Sequence, residues 1–223
     1  MSRLVDLSIA VTADTPLPPP VKRRNAIEVV NFPAGGALQG SWLTIYSHTG
    51  SHVDAPLHVV KDSDSIGDIP LEAVIGEAVI IDLTHLGALA QITPEVLQPH
   101  ANDIRPGDIV VLRTDWTDKK WPANEYWTDS PYLTEEGARW LVERRPKAIA
   151  VDFLEEWASR LVDVTADDFV ADRALLGRGI LLIKGLIGIR KLSKRRVQLF
   201  AAPIKFAHPV EGAPARVFAV EDD

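Results

Sequence analysis

Apolar and polar positions change period several times along the chain, and each change marks an element. From residue 42 to 48, Leu43 and Ile45 alternate with Trp42, Thr44, Tyr46 and His48, a period of two that predicts a strand with His48 at its end. Residues 78–83, 109–113 and 148–151 are nearly unbroken apolar runs and predict buried strands, the last leaving Asp152 near its carboxyl end. Further strands are predicted at 180–183, 197–206 and 215–220. Thr93-Pro94-Glu95 opens a short helix, and Thr134 caps a longer one that runs acidic to basic until Pro146 stops it. Thr165 and Asp168 form a capping pair for a helix containing Phe169, Leu175 and Leu176, ended by Gly177 and Gly179.

Helices alternate with strands only in the middle of the chain, and the C-terminal part is strand-rich. That order predicts an α/β fold with a mixed sheet and a single domain over residues 1–223. Four prolines between Thr12 and Pro20 predict an irregular arm. Trp116, Trp121, Tyr126, Trp127 and Tyr132 crowd one stretch broken by Pro122 and Pro131, which reads as a long ordered loop of the kind used as lids or subunit contacts.

Composition narrows the chemistry. The chain has no cysteine, so thiolate metal sites, disulfides and a cysteine nucleophile are excluded. A net charge of -7 argues against nucleic-acid binding, and the basic run from Arg190 to Arg196 is short and lacks interleaved aromatics. No apolar run has the length of a membrane span, and a cytoplasmic protein is expected. No Gly-rich phosphate loop or G-x-S-x-G elbow is present.

Three of the six histidines fall in Ser47-His48-Thr49-Gly50-Ser51-His52-Val53-Asp54-Ala55-Pro56-Leu57-His58. Imidazole and carboxylate suit a divalent ion such as Zn²⁺ or Mn²⁺. Gly50 and Pro56 rule out one continuous helix, so a strand end, a bend at Gly50 and an extended piece are expected. In that piece His52 and Asp54 project from one side, and the bend brings His48 to meet them. His58 is a candidate for proton transfer. His85, His100 and His208 have no comparable setting, and Asp152 is a candidate partner for a metal-bound imidazole.

The stretch from His48 to His58 resembles the signature H-x-G-T-H-x-D-x-P-x-H of the cyclase-like metal-dependent hydrolases, which include bacterial kynurenine formamidases and isatin hydrolases, with Ser51 for the usual Thr. Asp6-Leu7-Ser8, residues 106–116 and residues 212–217 resemble that family's opening, central strand and closing motif; relatives read T-G-W where this chain has Thr114-Asp115-Trp116. The resemblance implies a barrel-like mixed sheet of the swivelling β/β/α type, His48, His52 and Asp54 as metal ligands, and His58 as acid/base or ligand to a second metal. It also exposes two departures. A family pattern F-x-x-H-x-x-L-L reads Phe169-Val170-Ala171-Asp172-Arg173-Ala174-Leu175-Leu176 here, and a family E-N-L triplet reads Lys184-Gly185-Leu186. A protonated lysine cannot ligate a metal and repels a second cation, so one ion is expected, with Asp172 and Lys184 paired or Lys184 supplying the missing charge.

The expected activity is hydrolysis of a small amide, lactam, lactone or ester by metal-activated water. His58 would act as acid/base, and Trp42, Trp116 and Phe32 would line the substrate pocket. Two other readings are a metal- and carboxylate-binding protein of the same fold and a dehydrating cyclase. A homo-oligomer, dimer or tetramer, acting on a small molecule is expected.

Overall fold

The computed structural model describes residues 2–19, 21–32 and 35–222, with the Phe32 side chain outside that description. Its centre is a mixed sheet closed on itself. Strands β1 (Arg3–Asp6), β2 (Ala26–Phe32), β3 (Leu38–Thr44), β4 (His52–Asp54), β5 (Ile75–Asp82) and β6 (Gln91–Ile92) form in the first half of the chain. They are followed by β7 (Ile109–Arg113), β8 (Tyr132–Leu133), β9 (Ala148–Val151), β10 (Leu181–Lys184), β11 (Arg196–Pro203) and β12 (Gly212–Glu221). The order β12-β11-β5-β7-β9-β10-β4 returns to β12 because Gly212 to Pro214 pair with Asp54 to His52, and β1 adds to β12 outside the ring. β5, β7, β9 and β10 are mutually parallel, and the other ring pairings are antiparallel. The barrel-like mixed sheet expected of the sequence is the fold.

The unbroken apolar runs are explained by burial on both faces. Val53, Ile80, Ile109, Val111, Ala148, Ala150, Leu181, Ile183, Leu199 and Ala219 fill one core. Their alternate neighbours Val79, Ile81, Val110, Leu112, Ile149, Val151 and Leu182 belong to a second core shared with the helices. Those helices are α1 (Pro94–Leu97), α2 (Trp116–Lys120), α3 (Glu125–Thr128), α4 (Glu135–Glu143) and α5 (Val170–Leu176). Thr134 caps α4 by accepting from the Gly137 N–H at 3.1 Å.

Three sequence expectations are corrected. The strand predicted to end at His48 stops at Thr44, and His48 stands in the turn that follows. That strand, β3, pairs with β2 in a separate two-stranded ribbon. The aromatic stretch contains α2 and α3, hidden from periodicity by their shortness and by Pro122. The helix placed after Thr165 is split: Thr165 and Asp168 cap a single 3₁₀ turn, and α5 begins at Val170. No helix among the described residues is long and apolar enough to cross a membrane.

Candidate metal centre

Gly50 has φ +62°, the left-handed conformation that turns the chain between His48 and His52. Beyond it β4 runs between β10 and β12, pairing His52 with Lys184 and Asp54 with both Leu182 and Gly212. Val53 points into the first core, so His52 and Asp54 project from the opposite side, as the period of two requires. Ser51 locks this segment, accepting from the Ile9 N–H at 2.9 Å and donating to the Gly185 carbonyl at 2.7 Å.

Two of the motif imidazoles meet at one carboxylate oxygen, and the third, His58, stands with its Nε2 3.8 Å from Asp172 Oδ2. Asp54 Oδ1 is 2.8 Å from His48 Nδ1 and 3.5 Å from His52 Nε2. Ligand-capable atoms of His48, Asp54 and His58 lie within 4.8 Å of one another. The His52 Nδ1–H donates to the Gly50 carbonyl at 2.8 Å, which leaves the Nε2 lone pair facing Asp54 Oδ1. Two acceptors aimed at each other across 3.5 Å suit a cation between them. The donor set therefore fits a divalent ion held by nitrogen and oxygen.

A second tier of charge lies behind the imidazoles. Lys184, at the carboxyl end of β10, places Nζ 2.9 Å from Asp54 Oδ2, 3.0 Å from Asp172 Oδ2, and in contact with Glu155 Oε1. Asp172 is carried by α5, whose first N–H groups are capped by Glu156: Ala171 and Asp172 donate to its Oε2 at 2.9 and 3.1 Å. Glu211 accepts from Ser47 Oγ at 2.6 Å and from His48 Nε2 at 3.2 Å.

Burial and these charges set the protonation states of the metal-free chain. Burial pulls His48 down, but Asp54 outweighs it, with help from Glu211, and the ring rises to about 9. Both its nitrogens face carboxylate oxygens, the arrangement of an imidazolium. Burial takes His52 and His58 down to about 4 despite Asp54, so both are neutral near pH 7. His58 is thus a proton acceptor there, though well below its ordinary value. Burial also pushes Glu155 up to about 7 and Asp172 up to about 6, against the pull of Lys184. For Asp54, burial is outweighed by Lys184, His48 and His52, which hold its carboxyl well below the usual carboxylate range.

Above the imidazoles opens a cavity of about 130 Å³. His48, His52, His58 and Lys184 reach it, and Ile9, Pro16, Trp121, Trp127, Phe153 and Phe169 supply apolar wall. The expected pocket residues need correction. Trp42 is 72% exposed on β3, and Trp116 is buried in the helix-side core with its Nε1–H donating to the Tyr126 carbonyl; neither lines the cavity. Phe32 closes β2, and its side chain lies outside the described residues. Asp152 partners no imidazole: it accepts from Thr114 N, Thr114 Oγ1 and Asp115 N, shaping the turn where Asp115 takes φ +58°. The basic run is tied to acids, Arg190 to Asp118 and Arg196 to Asp108 among them. Glu155, Glu156 and Glu211 went unread in the sequence, because no spacing links them to the histidine motif.

Comparison with known proteins agrees with this geometry. The family model described as "Putative cyclase" matches residues 5–155. A kynurenine formamidase of Bordetella petrii is 26% identical, over 99% of this chain and 99% of its own. Isatin hydrolase A from Labrenzia aggregata, solved bound to benzyl benzoate, superposes with a TM-score of 0.84 at 27% identity, over 98% of this chain and 93% of that one. Isatin hydrolase A from Ralstonia solanacearum gives 0.81 at 25% identity, over 99% and 92%. With more than half of its length matched and the histidine motif inside the matched part, this chain belongs to the cyclase family of metal-dependent hydrolases.

Proposed function

We propose that the chain, working as one domain over residues 1–223, hydrolyses the C–N bond of a small aromatic amide or lactam with a single divalent ion, Zn²⁺ or Mn²⁺. The observation that carries the reading is that His48 and His52 converge on one oxygen of Asp54, with His58 within 4.8 Å of His48 and Asp54, beside an aromatic-walled cavity that the three imidazoles reach. His48, His52 and Asp54 would hold the ion. When bound, a divalent ion supplies a Lewis acid that polarises a carbonyl and lowers the pKa of water from ~15.7 towards ~7.

The residues do the rest. His58, neutral near pH 7 and edge-on to Phe169, takes a proton from water and returns it to the leaving nitrogen. Trp121, Trp127, Phe153 and Phe169 stack and desolvate a flat substrate. Lys184, at the cavity wall beside the ligands, pairs with both Asp172 and Asp54. The kynurenine formamidase and isatin hydrolase relatives support a C–N bond over a C–O bond.

The carboxylate-binding alternative is less well supported: Lys184, the cation at the cavity wall, is already surrounded by three carboxylates. A cytoplasmic homo-oligomer remains part of the proposal, and the exposed Val29, Leu38, Trp42 and Leu43 on the β2–β3 ribbon support self-association. The direct test is turnover of formanilide and isatin by protein stripped of metal and then reloaded with Zn²⁺ or Mn²⁺. Turnover that returns with the ion supports the reading. Absence of turnover on formanilides, lactams and lactones alike, with metal bound, sinks it.

A further inference from the structure

Behind the imidazoles, three carboxylates from distant parts of the chain enclose one ammonium. Asp54 comes from β4, Glu155 from the segment after β9 and Asp172 from α5, and all three are buried. Lys184 Nζ is 2.9 Å from Asp54 Oδ2, 3.0 Å from Asp172 Oδ2 and in contact with Glu155 Oε1. Among the described residues neither oxygen of Glu155 receives a directed hydrogen bond, so the ammonium is what balances it. A buried carboxylate in that condition is strongly unfavourable unless a cation faces it. Three hard oxygens around one point are also the surroundings in which oxygen-loving divalent ions are found.

The arrangement divides the two oxygens of Asp54. Oδ2 is turned to the ammonium, while Oδ1 faces His48 and His52. A carboxylate free to rotate could offer both oxygens to one ion or bridge two. Here one oxygen is already committed.

We propose that Glu155 is a positioning residue of the metal centre: with Asp172 it fixes the Lys184 ammonium where a second divalent cation would otherwise sit, so that Asp54 offers Oδ1 alone to the single ion. The inference rests on the reading that His48, His52 and Asp54 hold that ion. It adds that the cage is intact and is filled by an amino group of the chain itself. Glu155 also borders the cavity, and the role assigned to it acts through Lys184 and Asp54.

Lys184→Met removes the ammonium and leaves the cage. Mn²⁺ titrations of the metal-free protein, followed by calorimetry and by metal analysis after gel filtration, should count one ion in the wild type and two in K184M. Combining K184M with E155Q should return the count to one. Glu155→Gln alone should keep one ion and weaken its affinity about ten-fold, with the unfolding midpoint of the metal-free protein little changed. A folded K184M that still takes up one ion overturns the proposal. Should K184M not fold, E155Q decides alone, and an unchanged affinity overturns it. Wild-type protein that binds no ion overturns the metal reading beneath it, an outcome distinct from one ion in both proteins.

Discussion

His48 holds a proton in the metal-free protein because Asp54 and Glu211 face its two ring nitrogens. With its value raised to about 9, the ring is charged at pH 7.5 and must lose that proton before it can ligate. Metal binding should therefore release about one proton per ion at pH 7.5, and affinity should rise with pH until about 9. Calorimetry in two buffers of different ionisation enthalpy measures the release; a value near zero would remove His48 from the ligand set. The sign for stability follows. A raised histidine contributes stability that is complete below pH 6.5 and is lost as pH rises through about 9, so alkaline conditions weaken the metal-free form. His58 differs. Its substitution by alanine should lower kcat by 10²–10⁴ while the protein still carries its ion, as metal analysis would show. Loss of the ion together with activity would make His58 a ligand. The His48–His58 cluster was legible in the sequence because its spacing is contiguous. Glu155 and Glu211 were not, because a contact across β9, β10 and β12 leaves no local trace.

Gly185 is a tight joint between elements beside the site. Its φ is +70°, and a β-carbon there would lie 2.5 Å from the Gly50 carbonyl that orients His52. Gly185→Ala should cost about 1–3 kcal/mol or more from backbone strain alone, read as a fall in the urea midpoint, and should weaken metal binding as His52 turns. An alanine variant with unchanged stability and metal affinity would show that this contact is not needed. α5 depends on a cap from outside itself. Glu156→Ala leaves the Ala171 and Asp172 N–H groups without their acceptor and should cost about 1–3 kcal/mol, again read by denaturant unfolding. The four parallel strands were legible as apolar runs because both of their faces are covered. Trp42 was misread as pocket wall because alternation reports a strand but not which sheet it joins. The two short helices at Trp116–Lys120 and Glu125–Thr128 fall below the length at which helical periodicity declares itself.

At the scale of the whole molecule, the closed sheet brings the carboxyl ends of β9 and β10 beside β4, and the chemistry collects where they meet. The fold class was legible because strand runs outnumber helices in the C-terminal part. The closure was not, since it depends on the short pairing of Gly212–Pro214 with β4. The buried carboxylates gain a counter-charge when a divalent ion enters, so bound metal should raise stability. Saturating Mn²⁺ at one hundred times Kd adds about 2.7 kcal/mol, visible as a higher Tm than in the metal-free protein. The central claim, a hydrolase that works with one ion, is tested most directly by adding Mn²⁺ stepwise to metal-free protein while following formanilide hydrolysis. Activity should climb linearly and level off at one ion per chain; activity that keeps rising to a second equivalent, or never appears although the ion is bound, would contradict it.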